Sequence, residues 1–187
     1  AVFSMDGDIV DLPALVELGK KYHLLTMIDE AHATGIIGKT GHGTVEHFGN
    51  TSKPDILMGT LSKSLGAEGG YACARKVIID YLKNKARSFI FATSQTPAAL
   101  AAALRAIEVL EEEPQRAQSL QHNVDFFLNA LHAEGVEAYS PTAIIPVIIG
   151  DEATALQVAD ELLANGVLAP AIRYPTVAKG TILKHFC

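Results

Sequence analysis

The chain has 187 residues, of which 49% are hydrophobic and 19% are charged, a composition typical of a globular protein and not of a disordered one. Its 15 basic and 21 acidic side chains give a net charge of −6, which argues against a nucleic-acid partner. The chain has no apolar run long enough to span a membrane. Two cysteines, Cys73 and Cys187, cannot build a disulfide framework, so a cytoplasmic setting is predicted.

The first half of the chain alternates predicted strands and helices. The nearly all-apolar runs at residues 24–28 and 56–59 are typical of parallel strands buried on both faces, and Cys73 is predicted to be a buried thiol. In chain order we predict a strand at 1–5, a helix at 12–22, a strand at 24–28, a loop at 33–53, strands at 56–59 and 69–74, and a helix at 75–87.

The second half continues this alternation with clearer start signals. Thr96 and Pro97 favour the start of an alanine-rich helix, and Asp151 is a typical cap for a later one. The full prediction is a helix from 97 to about 112, a helix from 114, a strand at 144–149, a helix from 151 to about 165, a strand at 167–172, and a strand that begins at 181.

Alternating strands and helices predict an α/β fold with a mainly parallel sheet. We expect two domains, a large one that contains residues 1–104 and a small C-terminal one over residues 105–187. Both ends of the chain fall inside predicted strands, which favours a piece of a longer protein over a small complete domain.

Two of the predicted buried strands end in polar clusters. The first ends at Asp29, with His32 three residues later, and the second ends at Thr60, with Lys63 three residues later. Ligands of open parallel sheets bind outside the carboxyl ends of the strands. If the two strands are parallel, these four side chains therefore converge on one crevice.

A lysine and a carboxylate in one crevice suit pyridoxal 5′-phosphate (PLP). A lysine of depressed pKa attacks aldehydes, and a carboxylate keeps a pyridine nitrogen protonated. His32 is placed to hydrogen-bond the phenolic oxygen of the ring, while the hydroxyls of Thr60, Ser62 and Ser64 suit phosphate oxygens. Each residue alone has a commoner explanation as a surface lysine, a turn aspartate or a loop residue, so the prediction depends on the combination.

Two other motifs carry less weight. The glycines of residues 38–43 (GKTGHG) match neither the dinucleotide nor the phosphate-loop spacing, and a mobile loop is predicted there. His32, His42 and His47 lack the spacing of a compact zinc site, so no metal is predicted.

The chain resembles a known enzyme family in four segments. Residues 60–69 (TLSKSLGAEG) resemble the lysine motif of class-II PLP enzymes. Residues 4–8 (SMDGD), 27–35 (MIDEAHATG) and 89–94 (FIFATS) resemble the α-oxoamine synthases of that class, as do residues 173–177 (RYPTV). The resemblance runs from Ala1 to about Thr181 and covers the central and C-terminal half of a family member. It implies the aspartate aminotransferase-like fold, known as fold type I, and a homodimer with a shared active site.

The resemblance also implies roles for individual residues. Lys63 would bind PLP covalently and carry a proton during catalysis, with His32 beside it. The remaining implied contacts are Asp29 to the pyridine nitrogen, His32 and Ser4 to the ring-oxygen side, Thr60 to the phosphate region, Thr93 or Ser94 to a phosphate across the dimer interface, and Thr176 to the acyl substrate.

The implied activity is the condensation of an amino acid with an acyl thioester, with loss of CO2. These segments are most similar to those of the branch that joins alanine to a pimeloyl thioester in biotin biosynthesis. A glycine-using member of the family is the alternative. One departure is that the family's arginine pair after Gly180 and Thr181 is replaced by residues 182–187 (ILKHFC). That departure leaves open a third reading, a non-catalytic fragment or partner subunit.

Overall fold

A computed structural model describes residues 1–178 and, for the backbone alone, residues 183–186. The chain forms two compact units. The first contains Ala1–Val2 and Val10–Gln118, and the second contains Phe3–Ile9 and the chain from Ser119 onward. The assignment of residues 1–104 to a large domain and of 105–187 to a small one stays a prediction.

The described part of the chain contains both helices and strands, which confirms the α/β class, but they do not alternate strictly along the chain. The helices are α1 (Leu12–Tyr22), α2 (Thr44–His47), α3 (Lys76–Lys85), α4 (Arg87–Ile90), α5 (Pro97–Glu112), α6 (Gln115–Ala133) and α7 (Glu152–Ala164). The strands are β1 (Met27–Asp29), β2 (Ile56–Thr60), β3 (Gly70–Ala74), β4 (Ile145–Ile148), β5 (Ala171–Ile172) and β6 (Leu183–Phe186). Within this part of the chain, no helix has both the length and the hydropathy that a membrane crossing needs.

The sheet of the first unit has the order β1-β2-β3. β1 and β2 are parallel, with Asp29 opposite Met58, as the site prediction required. β2 and β3 are antiparallel, with Gly59 opposite Tyr71. The parallel pair places the carboxyl ends of β1 and β2 at one edge of the sheet.

The helix boundaries follow local capping chemistry. The Asp11 side chain caps the start of α1 by accepting a 3.0 Å hydrogen bond from the Ala14 amide. His23 follows the last residue of α1 and caps its end with a φ of +54°. Thr96 and Asp151 cap α5 and α7 in the same way, through the amides of Ala99 and Thr154. Capping side chains are local in sequence, which is why these helix starts were predictable.

The first unit is stabilised by two apolar clusters. Leu12 and Val16 of α1 pack on Ile28 of β1, so the helix covers one face of the sheet. Leu61 and Leu65 pack with Ala67 and Ala103, which joins the loop after β2 to α5. Burial of a leucine side chain contributes about 2 kcal/mol, so the second cluster anchors that loop.

The second unit contains the antiparallel sheet β4-β6-β5. The turn at its N-terminal segment is closed by the Phe3 amide, which donates to the Asp8 carbonyl over 2.9 Å. The buried Thr142 hydroxyl donates to the Gly7 carbonyl over 3.0 Å. This buried bond ties residues 3–9 to the rest of the unit.

Several sequence predictions were wrong in extent or burial. Residues 1–5 form a single bridge at Val2 and then a turn, not a strand. The strand predicted over 24–28 is Met27–Asp29, and Leu24 and Leu25 before it are exposed. The paired residues begin with Met27 opposite Ile56. The Thr26 carbonyl still accepts a 3.0 Å hydrogen bond from the Ile56 amide, while the Thr26 amide donates to the Asp55 side chain.

The remaining differences concern other segments. Cys73 of β3 is an exposed thiol, so the prediction that it is buried was wrong. Met27 of β1 is also exposed, so that strand is not buried on both faces as predicted. The helix predicted over 75–87 ends at Lys85 and is followed by the separate turn of α4. The loop at 33–53 contains α2, and only Ala171–Ile172 of the strand predicted at 167–172 is a strand. Part of the strand predicted from 181 lies outside the described residues.

Candidate active site

The candidate site lies at the carboxyl edge of the β1–β2 pair. Asp29 is the last residue of β1 and Thr60 is the last residue of β2. The ladder continues one step past β1, because the Glu30 amide donates to the Met58 carbonyl over 2.7 Å. The loops that carry His32 and Lys63 therefore begin side by side.

His32 lies in a tight turn directly after Asp29. The amides of Ala33 and Thr34 both donate to the Glu30 carbonyl, over 2.9 and 3.0 Å, and close the turn. Asp29 is exposed, and its Oδ1 accepts a 2.8 Å hydrogen bond from the Ala31 amide. That bond orients the carboxylate from within its own turn and leaves it accessible.

Lys63 lies in the loop of residues 61–69, named here the lysine loop. Three backbone hydrogen bonds close this loop on itself: Leu61 amide to Gly69 carbonyl, Ala67 amide to Leu61 carbonyl, and Gly66 amide to Lys63 carbonyl. The side chain of Lys63 is exposed while Leu61 and Leu65 are buried. The loop is thus an internally bonded unit that presents its amine to solvent.

A side-chain hydrogen bond connects the two loops. The Ser64 hydroxyl donates to the Thr34 carbonyl over 2.6 Å. Ser64 directly follows Lys63, and Thr34 is two residues beyond His32. The structure therefore brings the segments of Asp29, His32, Thr60 and Lys63 together, and the convergence of the four side chains on one crevice stays a prediction.

Thr60 offers a direct observation on whether these residues fit a phosphorylated cofactor. Its Oγ1 atom is buried and has no hydrogen-bond partner among the described residues. A buried hydroxyl without a partner costs about 1–3 kcal/mol, so such atoms normally have a ligand or water to bind. A hydroxyl at the strand end, an exposed carboxylate and an exposed amine match the donor and acceptor set that PLP needs.

Glu30 is a site residue that the sequence reasoning missed. Its side chain is 4% exposed and Oε2 accepts a 2.9 Å hydrogen bond from the Thr44 amide. The carboxylate thus ties the turn of His32 to the start of α2. Oε1 of Glu30 and Oγ1 of Thr44 are buried without a partner in the described part of the chain. The available signal in the sequence was a second acidic residue directly after Asp29 and two residues before His32.

Gln95 is a second missed residue. Its Nε2 donates to the Glu68 carbonyl over 2.9 Å, which joins the segment before α5 to the lysine loop. Gly69 has φ +113°, and a Cβ there would lie 1.2 Å from Gln95 Nε2. Thr93 and Ser94, two and one residues earlier, are exposed in this segment. Their predicted contact with a phosphate stays a prediction.

Ser4 and Thr176 belong to the second unit. Ser4 lies in the turn that the Phe3–Asp8 bond closes. Thr176 is exposed, and its amide donates to the Arg173 carbonyl over 2.9 Å. Their predicted contacts with the ring oxygen and the acyl substrate stay predictions, and residues 180–182 lie outside the described residues.

Within residues 1–178, no group of three or more His, Cys, Asp or Glu side chains has the geometry to hold a metal ion. The carboxylate of Glu46 instead accepts hydrogen bonds from the Thr40 hydroxyl and the His42 amide. Burial acts to raise the pKa of Glu46, but these hydrogen bonds outweigh it and the pKa is lowered.

Comparison with known proteins identifies the family. Residues 1–183 match the family model described as aminotransferase class I and II. The chain belongs to the class I and II aminotransferase family. Enzymes of this family depend on PLP, which agrees with the cofactor predicted from the two strand ends.

The relatives of this aminotransferase-family chain are α-oxoamine synthases. It is 50% identical over 180 residues to 8-amino-7-oxononanoate synthase 1 of Bacillus subtilis, covering 96% of this chain and 46% of the relative. It is 46% identical to 8-amino-7-oxononanoate synthase of Symbiobacterium thermophilum, again over 96% of this chain and 46% of the relative. The chain thus spans about half the length of the curated relatives it matches.

Solved structures confirm the fold. A serine palmitoyltransferase from S. paucimobilis superposes with a TM-score of 0.91 at 29% identity, covering 99% of this chain and 47% of that one. The 8-amino-7-oxononanoate synthase of Francisella tularensis superposes with a TM-score of 0.82 at 30% identity, covering 99% of this chain and 54% of that one. The PLP-dependent aminotransferase-like fold predicted from the sequence is therefore confirmed.

Proposed function

We propose that this chain is part of an 8-amino-7-oxononanoate synthase, which condenses L-alanine with a pimeloyl thioester, releases CO2 and serves biotin biosynthesis. The observation that carries the proposal is the hydrogen bond from the Ser64 hydroxyl to the Thr34 carbonyl. This bond connects the loop that contains Lys63 to the turn that contains His32. The identity of 50% to a B. subtilis protein of that name supports the choice within the family. The acyl carrier, CoA or acyl carrier protein, is left open.

Each residue at the edge of the sheet has a task in this proposal. PLP, when bound, supplies an aldehyde for amines and a ring that withdraws electrons from the α-carbon of the amino acid. Lys63 Nζ would hold the cofactor through its aldehyde carbon and, when free, would accept the α-proton of the amino acid as general base. The Asp29 carboxylate keeps the pyridine nitrogen protonated, because a negative charge beside that nitrogen favours its charged form.

The remaining residues hold the cofactor and substrates. His32 hydrogen-bonds the phenolic oxygen, together with Ser4. The Thr60 hydroxyl, which lacks a partner among the described residues, binds the phosphate region. Thr93 or Ser94 reaches a phosphate across a homodimer interface, and Thr176 contacts the acyl substrate. The homodimer and the cytoplasmic location are parts of this proposal.

Borohydride reduction of the full-length protein with PLP tests the proposal. Reduction fixes an imine between lysine and PLP as a stable amine, and peptide mapping then locates the label. We expect the label on Lys63 and none in Lys63→Ala, whereas Lys53→Ala, a control for another exposed lysine, labels normally. A label on another lysine, or no label in the wild type, would contradict the proposal.

Substrate choice is tested by a second assay on the full-length protein. Alanine, glycine and serine are each supplied with pimeloyl, acetyl and palmitoyl thioesters, and the free thiol released from the thioester is measured, because every candidate condensation releases it. We expect alanine with the pimeloyl thioester to give the highest kcat/KM. Alanine and glycine differ by one methyl group, which changes binding by only about 1–3 kcal/mol. The two amino acids are therefore distinguished by the ratio of their kcat/KM values. A preference for glycine would instead assign a 2-amino-3-oxobutyrate CoA ligase.

A further inference from the structure

Thr34 makes hydrogen bonds to three separate segments near the candidate site. Its amide donates to the Glu30 carbonyl over 3.0 Å, within the turn that carries His32. Its carbonyl accepts the 2.6 Å bond from the Ser64 hydroxyl, and its own hydroxyl lies 2.8 Å from the Tyr71 hydroxyl. One residue therefore joins the turn after β1, the lysine loop and β3.

Two glycines allow the close approaches around Thr34. Gly35 has φ +79°, and a Cβ there would lie 2.6 Å from Ser64 Cβ. A Cβ on Gly59 would lie 2.6 Å from the Tyr71 hydroxyl oxygen, so the tyrosine crosses directly over β2 to reach Thr34. Tyr71 also packs against the cluster of Leu61 and Leu65. Ser64 and Tyr71 thus each have a neighbour other than Thr34 that restricts their position.

The lysine loop needs such external contacts to be oriented. Its three backbone hydrogen bonds are internal, so they fix its shape but not its direction relative to β1. Leu61 and Leu65 attach it to α5 through apolar contacts, which are not directional. Side-chain hydrogen bonds are directional, and the bond from Ser64 connects the loop to the turn of His32.

The Ser64 hydroxyl has a single proton, which it donates to Thr34. Phosphate oxygens accept hydrogen bonds, so this proton is not available to a phosphate as the sequence had suggested. Burial raises the pKa of Tyr71, partly offset by its bond to Thr34, so the tyrosine keeps its proton at neutral pH. Both hydroxyls can therefore serve as fixed neutral contacts to Thr34.

We propose that Ser64 and Tyr71 are positioning residues that, through Thr34, aim the amine of Lys63 at the cofactor ring held by Asp29 and His32. This inference rests on the proposed function. A reaction between a lysine and an aldehyde needs near-attack geometry, and a displacement of about 1 Å can cost about a hundredfold in rate. Loss of the Ser64 contact alone or of the Tyr71 contact alone is expected to lower the rate by less than a hundredfold.

The test uses four variants of the full-length protein: Ser64→Ala, Tyr71→Phe, Thr34→Val and Thr34→Ser. We expect Ser64→Ala, Tyr71→Phe and Thr34→Val to lower kcat about tenfold, with less change in KM, and to weaken the circular dichroism of bound PLP. Thr34→Ser keeps the hydroxyl and is expected to retain near wild-type values. Because Tyr71→Phe and Thr34→Val break the same bond, their double variant should be no worse than either alone.

A second readout needs no cofactor. In the PLP-free protein, amide hydrogen exchange in residues 61–69 should speed up several-fold in Ser64→Ala and stay unchanged in the controls Ser52→Ala and Tyr81→Phe. Tyr81 is an exposed residue of α3, and Ser52 lies outside the candidate site. If Ser64→Ala does not fold, Ser64→Cys takes its place, because the Thr34→Val and Thr34→Ser pair tests only the contact with Tyr71.

The outcomes separate this inference from the proposed function. If the wild type takes no borohydride label at Lys63, both proposals fail. If the wild type is labelled but the variants match it in kcat, circular dichroism and exchange, the positioning role alone is overturned. Additive losses for Tyr71→Phe and Thr34→Val also contradict it, because the shared bond would then not be the cause.

Discussion

Asp55 accepts two hydrogen bonds from Thr26, one from the backbone amide over 3.0 Å and one from the hydroxyl over 3.1 Å. The Asp55 amide donates in return to the Thr26 hydroxyl over 3.1 Å. These three bonds fasten the residue before β1 to the residue before β2. They lie at the amino ends of the two parallel strands, so they help to set the register that aligns Asp29 and Thr60 at the opposite edge.

This arrangement predicts acid-sensitive stability. The backbone amide and the hydroxyl of Thr26, with help from Arg75, lower the pKa of Asp55 below its ordinary value. A lowered folded-state pKa contributes stability above the unfolded-state pKa and loses it as the pH falls through the folded-state pKa. We expect the urea midpoint of the wild type to fall more than that of Asp55→Asn between pH 6 and pH 2.

The control for this prediction is Glu17→Gln, which removes one exposed carboxylate of α1. It should follow the wild-type pH dependence. A wild type and an Asp55→Asn variant whose midpoints decline in parallel would show that the Thr26 contacts do not favour the charged carboxylate.

Gly43 is expected to tolerate no side chain. Its φ of +84° and ψ of −159° belong to a region that glycine almost alone adopts, and a Cβ would lie 2.1 Å from Glu30 Oε2. Gly43→Ala should lower the free energy of unfolding by about 3 kcal/mol, because strain adds to displacement of a buried carboxylate. The measurement is chemical denaturation.

Gly49→Ala is the matched control for Gly43→Ala. Gly49 also has a positive φ, +69°, but a Cβ there would meet nothing within 4 Å. The expected loss is about 1 kcal/mol, from backbone strain alone. Equal losses for the two variants would mean that the Glu30 carboxylate moves away without cost.

Gly69 and Gln95 are expected to be energetically coupled. Gly69→Ala would place a Cβ against Gln95 Nε2, and the φ of +113° adds strain. Gln95→Ala removes the obstacle and the hydrogen bond to Glu68 together. In a double-mutant cycle, Gly69→Ala should therefore destabilise the protein less in the Gln95→Ala background than in the wild type. Strictly additive effects would rule out this contact.

Thr60→Val tests the unpartnered hydroxyl. The substitution keeps the shape of the side chain, and we expect PLP affinity to fall about tenfold or more because a hydrogen bond to a charged group is lost. The stability of the PLP-free protein should stay the same or rise. Thr40→Val is the contrasting control, since the Thr40 hydroxyl donates to Glu46 over 2.6 Å, and it should lower stability without affecting PLP affinity. The reverse pattern would exclude Thr60 from the cofactor site.

Sequence patterns predicted those features that depend on near neighbours in the chain. The helix at 12–22 was predicted with its observed bounds because its apolar residues recur at helical spacing within the segment itself. The pairing of the two strand ends was predictable because both strands were short and followed by polar clusters. The family resemblance was carried by the same segments.

Features that depend on distant residues were missed. An apolar run does not indicate which of its residues pair with a neighbouring strand, and the contact of Thr26 with Asp55, 29 residues away, could not be predicted from it. The bond from Ser64 to Thr34 spans 30 residues, and a serine beside a lysine carries no sign of its partner. The burial of Glu30 likewise depends on Gly43 and Thr44. Such contacts need the folded backbone.

The hydrogen bonds that Ser64 and Tyr71 make to Thr34 differ in kind, and this difference has an evolutionary consequence. Ser64 binds a main-chain oxygen, which every amino acid at position 34 provides. Tyr71 binds the threonine side chain, so its partner vanishes when position 34 mutates. Among homologues, positions 34 and 71 should therefore change together, while position 64 drifts or persists independently of both.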